Sequence, residues 1–231
     1  MYVLNLAVKG KGGTRELVFP VKRMVNAGYV GRDQEAVKKH IEELKLEGIS
    51  APDEVPTLYP VASYLLKTGG ILEVIEEQTS GEAEFVVLLH EGQTYIGVGS
   101  DHTDRKLEAD SIIKAKQMCP NVISPVLWLY EEVKPVWDDM VLKSWVVKEE
   151  KRSLYQETKL SAILNVEDLL SFVKSRVGDK NMENIAVYSG TVGTIGGEMI
   201  SGEGFEVELR NPENNESLWC KYKVEIIDYV K

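Results

Sequence analysis

The sequence SGEAEFVVLLHEGQTYIGVGSDHTDR occupies residues 80–105 and carries the clearest structural signal in the chain. Two apolar runs, residues 85–89 and 95–98, are rich in β-branched and aromatic side chains. They flank the dipeptide Glu91-Gly92, and this arrangement is typical of two buried strands joined by a tight turn. We therefore expect a β-hairpin whose turn lies at Glu91-Gly92.

The register of this hairpin places acidic side chains together. If Glu91-Gly92 forms the turn, His90 pairs with Gln93, and counting back along the ladder sets Glu82 opposite Asp101. Glu84 lies two residues from Glu82, and residues two apart on a strand share a face. The open end of the hairpin is therefore predicted to gather three carboxylates.

Three carboxylates this close repel one another, and with no base in the cluster they need shared protons or a cation. Two Glu and one Asp form an all-oxygen ligand set, which suits a hard divalent ion, Mg²⁺ before Mn²⁺ or Ca²⁺. The alternative is that Glu82 and Glu84 form the solvated face of an edge strand and that Asp101 is a turn residue.

Two segments of the hairpin resemble the fumarylacetoacetate hydrolase superfamily. EAEFVV at residues 82–87 is similar to its Glu-x-Glu-Leu-x-Val segment, and SDHTDR at residues 100–105 resembles its Asn-Asp-x-Thr-Ala-Arg. The resemblance runs from about Met24 to the C terminus and is nearest to a small bacterial branch whose members mostly have no assigned function. It implies that Glu82, Glu84 and Asp101 hold the divalent metal.

The resemblance also implies the architecture. We expect an α+β fold, a β-rich mixed β-roll with a few peripheral helices, formed by a single domain over residues 1–231. Residues 1–22 would supply N-terminal strands and residues 23–231 the superfamily-like core. A homodimer is what the superfamily suggests.

A helix predicted over residues 33–47 carries His40 and Glu43 one turn apart. His40-Ile41-Glu42-Glu43 resembles the His-x-x-Glu of the superfamily, which implies a catalytic dyad that activates water above the metal. A surface histidine paired with a helix neighbour is the alternative.

A second helix is predicted over residues 106–118 and ends near two lysines, Lys114 and Lys116. The superfamily places a catalytic lysine here, beside the metal, where it stabilises an oxyanion, and we assign this role to Lys116 over Lys114. A lysine at a helix C-terminus can also simply favour the helix dipole.

Residues 131–140 are predicted to form a surface loop.

Other residues are predicted to bind the substrate. Tyr59 lies in a proline-flanked segment that resembles the pocket-lining segment of the superfamily, although it could equally belong to the core. Ser189-Gly190-Thr191 resembles the Thr-Gly-Thr that holds a substrate carboxylate there, and the alternative is an ordinary turn after a strand. Arg105 could contact substrate, although a structural salt bridge is the commoner role of such an arginine.

Composition restricts the function further. The 231 residues are 43% hydrophobic and 28% charged, as in an ordinary globular protein, and the net charge is −10. With no cluster of Lys or Arg, nucleic acid and anionic membranes are poor partners. No leader or membrane-spanning run is evident, so we expect a cytoplasmic protein. Cys119 and Cys220 are expected to be buried thiols.

We therefore expect a metal-dependent hydrolase or lyase acting on a small 2-oxo or β-dicarbonyl carboxylic acid. Carbon–carbon hydrolysis, decarboxylation, hydration and tautomerisation all pass through an enolate or an oxyanion, which such a site stabilises. Two alternatives are a non-catalytic protein that binds a small molecule in the same pocket and an acidic structural component of a larger assembly.

Overall fold

The computed structural model describes residues 2–46 and 54–230. Within the first helix it describes the backbone but not the side chains of Gln34, His40 and residues 43–46. Among the described helices, none has both the length and the apolar composition required to cross a bilayer.

The described residues are rich in strands, which form a ten-stranded and a five-stranded sheet. The large sheet has the order β2-β1-β10-β8-β7-β13-β3-β4, with β9 and β5 beside β8, and the small sheet has the order β12-β11-β14-β15-β6. The strands are β1 (Tyr2–Gly10), β2 (Gly13–Val21), β3 (Arg23–Gly28), β4 (Thr57–Val61), β5 (Leu66–Lys67), β6 (Ile71–Val74), β7 (Thr79–His90), β8 (Gln93–Asp104), β9 (Asn121–Ile123), β10 (Val126–Leu129), β11 (Val141–Lys148), β12 (Lys151–Lys159), β13 (Ile185–Tyr188), β14 (Gly204–Arg210) and β15 (Ser217–Ile226).

Short helices surround the two sheets. They are α1 (Gln34–Leu46), α2 (Arg105–Asp110), α3 (Ile112–Met118), α4 (Tyr130–Val133) and α5 (Val166–Arg176), with 3-10 turns at Ser63–Leu65, Lys134–Asp139 and Leu160–Ala162. Asn165 caps α5, because its side chain accepts a hydrogen bond from the backbone N–H of Asp168.

The β7–β8 hairpin lies at the centre of the large sheet. Glu91 and Gly92 both have positive φ, 50° and 72°, as a type I′ turn requires. The ladder then runs from His90↔Gln93 to Thr79↔Asp104 and places Glu82 opposite Asp101. The predicted turn and register are confirmed.

The two faces of β7 bury different side chains. Phe85 and Val87 point into the core between the two sheets, together with Val207 of β14. Val86 and Leu88 point the other way, into a second cluster that also contains residues from β1, β2, β3 and β4, so the large sheet curls around that cluster. Glu82 and Glu84 share this second face and therefore lie at the open end of the curled sheet.

Two predicted elements were wrong. Residues 106–118 do not form one helix, because Ser111 adopts an extended backbone (φ −163°, ψ 104°) that separates α2 from α3. Residues 131–140 are not a surface loop, because they form most of α4 and a 3-10 turn around Trp137, which is buried. The Trp137 ring packs edge-on against Phe85, with ring centroids 5.0 Å apart.

Candidate functional site

The hairpin brings three carboxylates together at the end of the curled sheet. Glu82, Glu84 and Asp101 each present an oxygen, and these oxygens lie within 4.8 Å of one another. Glu84 and Asp101 are buried, at 1% and 0% exposure, and Glu82 is mostly buried. The alternative of a solvated strand face with Asp101 in a turn is therefore wrong, since these side chains are largely buried and Asp101 lies within β8.

Two glycines make this arrangement possible. Gly99 pairs with Glu84 across the ladder, and a Cβ at Gly99 would lie 2.5 Å from the carbonyl oxygen of Val122. Gly190 has φ +82°, and its backbone N–H donates a hydrogen bond of 2.6 Å to Oε2 of Glu84. A side chain at Gly190 would collide with Val30, so glycine lets this loop approach the carboxylate.

Lys116 reaches the carboxylates from α3. Its Nζ forms a very short contact with Oδ2 of Asp101 and lies 3.4 Å from Oε2 of Glu82. Lys116 is buried, whereas Lys114 is exposed. The structure thus places at the site the lysine that the sequence analysis chose, and its role in stabilising an oxyanion stays a prediction.

Arg105 is a second cation beside Glu82. One guanidinium nitrogen donates to Oε1 of Glu82 at 2.8 Å and to Oε2 of Glu108 at 2.7 Å, and Nε donates to the hydroxyl of Ser80. Most of its donors are therefore used within the protein, as in a structural salt bridge, and contact with substrate stays a prediction. We expected no basic residue among the three carboxylates. This expectation was wrong, because the cationic side chains of Arg105 and Lys116 both contact them.

Burial and neighbouring charges act differently on the three carboxylates. Burial and the negative charge of Asp101 hold the pKa of Glu84 well above its usual range. Burial also raises the pKa of Asp101, although Lys116 opposes this. For Glu82 burial is outweighed by Lys116 and Arg105, which lower its pKa to about 2. The charge of Glu84 is therefore the least compensated of the three.

We call this group of side chains the acidic cluster. It contains four carboxylates and two cations, namely Glu82, Glu84, Asp101, Glu108, Arg105 and Lys116. When all six groups are ionised, their net charge is −2, which one divalent cation would neutralise.

An unpaired oxygen also fits a bound cation. Oδ1 of Asp101 is buried and forms no hydrogen bond among the described residues; the neutral amide of Asn26, which lies beside Asp101 and opposes the rise that burial causes in its pKa, brings no positive charge to it. A buried carboxylate oxygen without a partner is costly, and a hard divalent ion prefers oxygen ligands of this kind. The side chains present therefore fit a Mg²⁺-type ion held by Glu82, Glu84 and Asp101.

Two tyrosines line the same region. Lys116 Nζ lies 5.8 Å from the ring centroid of Tyr59, which is half-buried, and burial raises the pKa of Tyr59 to about 12, with Tyr29 acting in the same direction. Burial also raises the pKa of Tyr29, with Glu108 as the next cause. Both phenols are thus neutral near pH 7, and contact of Tyr59 with substrate stays a prediction.

The loop after β13 is occupied by internal hydrogen bonds. Ser189 is buried and its hydroxyl donates to the carbonyl of Gly190. The Thr191 hydroxyl donates to the carbonyl of Ala83 at 2.9 Å and accepts from Gln156 at 2.8 Å. Binding of a substrate carboxylate by Ser189, Gly190 and Thr191 stays a prediction. The side chains of His40 and Glu43 lie outside the described part of α1, so the dyad also stays a prediction.

Sequence reasoning missed Glu108 and Tyr29 as members of the site. Glu108 lies three residues after Arg105 at the start of α2, a spacing at which helical side chains meet. This spacing is the feature of the sequence that could have identified Glu108 as a neighbour of Arg105. Tyr29 follows β3, and its position near Glu108 and Lys116 depends on contacts between segments far apart in the chain.

The fold is that of the fumarylacetoacetate hydrolase superfamily, as predicted. The structure is similar to Cg1458, with a TM-score of 0.66 and 12% sequence identity over 98% of this chain and 100% of that chain. It is also similar to 2-keto-3-deoxy-D-arabinonate dehydratase complexed with magnesium and 2,5-dioxopentanoate, with a TM-score of 0.62 and 16% identity over 95% of this chain and 79% of that chain.

The sequence places the chain within a particular family. Residues 27–222 match the family described as Protein of unknown function (DUF2848), and the chain belongs to this family. No curated protein matches the sequence.

The two lysines of α3 allow a test of whether Lys116 compensates the negative charge of Asp101 and Glu82. Lys116→Met removes a buried cation and leaves Asp101 and Glu82 less compensated, so we expect the metal-free protein to lose about 3–5 kcal/mol of unfolding free energy. Urea denaturation in the presence of a chelator measures this loss. Mg²⁺ should restore part of it.

The control is Lys114→Met, which alters an exposed lysine of the same helix and should leave the free energy of unfolding unchanged. Equal stability of the two variants without metal would contradict the account of the charge balance.

Proposed function

We propose that this protein is a divalent-metal-dependent enzyme that acts on a small 2-oxo or β-dicarbonyl carboxylic acid. One observation carries the proposal: oxygens of Glu82, Glu84 and Asp101 converge in a cluster whose charge is −2 when all six groups are ionised, and Oδ1 of Asp101 forms no hydrogen bond among the described residues. Mg²⁺ is the preferred ion, with Mn²⁺ or Ca²⁺ as alternatives.

Glu82, Glu84 and Asp101 would hold the ion. When bound, a divalent ion supplies Lewis acidity toward the oxo and carboxylate oxygens of such a substrate. Glycine at position 99 lets the backbone of Val122 approach β8, and glycine at position 190 lets the loop bring its backbone N–H to Glu84.

Lys116 is suited to stabilise negative charge on the substrate. Although burial opposes it, the nearby Asp101 and Glu82 raise the pKa of its ammonium group, so Lys116 stays protonated at neutral pH. A permanently charged ammonium group is a poor general base but a good partner for an enolate or another oxyanion. Proton transfer therefore needs another group, for which His40 with Glu43 is our proposal.

Arg105 acts on the site indirectly. Its hydrogen bonds to Ser80 and Glu108 hold the guanidinium against Oε1 of Glu82, whereas Lys116 approaches Oε2, and both cations keep that carboxylate ionised. The neutral phenols of Tyr29 and Tyr59 are available as hydrogen-bond donors to an anionic substrate. We assign substrate contact first to Tyr59, since its ring faces Lys116.

We propose the type of intermediate, a stabilised enolate, and not one particular reaction. A structural neighbour is a dehydratase complexed with magnesium and 2,5-dioxopentanoate, which supports elimination or addition of water on a 2-oxo acid. Carbon–carbon hydrolysis, decarboxylation and tautomerisation require the same stabilised enolate.

A non-catalytic binding protein is the second candidate. The observation that favours it is the internal pairing of Asp101 and Glu82 with Lys116 and Arg105, since carboxylates paired in this way have less need of a metal ion, and without the ion the site lacks its Lewis acid.

The metal site can be tested through stability. Mg²⁺ should raise the thermal unfolding midpoint of the wild-type protein, because an ion that binds only the folded state stabilises it. Glu82→Ala and Asp101→Ala should both abolish this rise, as differential scanning fluorimetry with and without EDTA would reveal. An unchanged response to Mg²⁺ in both variants would rule out this site.

The activity can be tested with a Mg²⁺-supplemented panel of oxo-acids that begins with oxaloacetate and acylpyruvates. We expect turnover of at least one compound, loss of turnover on chelation and recovery on adding Mg²⁺, followed by mass spectrometry of the products. Binding of a panel compound without turnover by the Mg²⁺-loaded wild type would favour the binding protein instead. Turnover that survives chelation and the Asp101→Ala substitution would contradict the proposed mechanism.

A further inference from the structure

Among the described residues, the part of β7 that carries Glu82 and Glu84 has β8 on one side and no strand on the other. β13 pairs with β7 only from Val86 to Leu89, because β13 ends at Tyr188 opposite Val86. The backbone of Ala83, which lies between Glu82 and Glu84, extends beyond that end. Buried N–H and C=O groups need partners, so the sheet itself leaves a gap at Ala83.

Two side chains fill this gap. The side-chain oxygen of Gln156 accepts a hydrogen bond of 3.0 Å from the N–H of Ala83, and the Thr191 hydroxyl donates one of 2.9 Å to the carbonyl of Ala83. Gln156 Nε2 also donates to the Thr191 hydroxyl at 2.8 Å. The two side chains thus form a closed ring of hydrogen bonds with the backbone at Ala83.

Gln156 has no unused hydrogen-bonding capacity. Besides the bonds to Ala83 and Thr191, it donates to the carbonyl of Val192 at 2.6 Å and accepts from the hydroxyl of Ser144 at 2.9 Å. Gln156 is buried, with 2% of its surface exposed. A side-chain amide has two donors and two acceptor positions, and all four are used here.

A β-bulge turns Gln156 toward the site. The pairing of β11 with β12 shifts between Ser144 and Trp145, so that Ser144 pairs with Gln156 and Trp145 pairs with Leu154. Tyr155 is the extra residue, and both Tyr155 and Gln156 are buried although they are adjacent on one strand. Bulges of this kind redirect a side chain and are frequent beside active sites.

We propose that Gln156 is a positioning residue for the metal centre. It fixes the backbone between Glu82 and Glu84, and through Thr191 and Val192 it holds the loop whose Gly190 N–H binds Glu84. Gln156 belongs to the small sheet, so this network ties the small sheet to carboxylates carried by the large one. The inference rests on the proposed function of the three carboxylates as metal ligands.

The test measures Mn²⁺ binding by electron paramagnetic resonance of the free ion, and it needs no substrate. Gln156→Met keeps the approximate volume of the side chain but removes all four hydrogen bonds. We expect its dissociation constant for Mn²⁺ to rise about tenfold to a hundredfold, the range typical when a group that orients metal ligands is removed. Hydrogen exchange at the Ala83 amide, followed in the metal-free protein, should become faster.

Ser144→Ala is the matched control, because it removes one hydrogen bond to the same amide oxygen and leaves those to Ala83, Thr191 and Val192 in place. It should bind Mn²⁺ as the wild type does. If Gln156→Met does not fold, Thr191→Val breaks the same ring at Ala83 and should weaken Mn²⁺ binding in the same way.

The possible outcomes distinguish a failure of the role proposed for Gln156 from a failure of the proposed metal site. Wild-type affinity in a folded Gln156→Met variant, or equal weakening in Ser144→Ala, would overturn the role of Gln156 and leave the metal site standing. A wild-type protein that binds no Mn²⁺ would overturn both.

Discussion

The structure depends on the mutual repulsion of carboxylates that one hairpin register forces together. Once Glu91-Gly92 forms the turn, Glu82 lies opposite Asp101 and Glu84 follows on the same face. Burial removes the water that would otherwise screen these charges, so the fold must supply cations. Lys116 and Arg105 supply two of them, and the proposed divalent ion would neutralise the negative charge that remains.

The elements around the hairpin can be understood as responses to this constraint. Ser111 separates α2 from α3, so that Arg105 and Lys116 approach Glu82 from two different helices. Gly190 brings a backbone N–H to Glu84, whose charge the two cations leave least compensated. The interior of the curled sheet is filled by the apolar cluster that contains Val86 and Leu88, so the carboxylates at its open end depend on Lys116, Arg105 and the proposed ion for compensation.

The sequence predicted those parts of the site that depend on local pattern. Strand periodicity and a two-residue turn gave the register, and the register gave Glu82, Glu84 and Asp101 as neighbours. It could not predict the ring of hydrogen bonds around Gln156, because that ring joins segments far apart in the chain. Gln156 is about 70 residues from Ala83 and is turned inward by a bulge that leaves no sequence signature. The roles of His40 and Glu43 still rest on resemblance.

The central claim is that a divalent cation completes the acidic cluster. Anomalous diffraction from crystals grown with Mn²⁺ tests it most directly, because the peak locates the ion without reference to any substrate. The account predicts a peak about 2.0–2.2 Å from oxygens of Glu82, Glu84 and Asp101, the distance expected for a small hard dication. A map without a peak at this position, with Lys116 still in contact with Asp101 at saturating Mn²⁺, would contradict it.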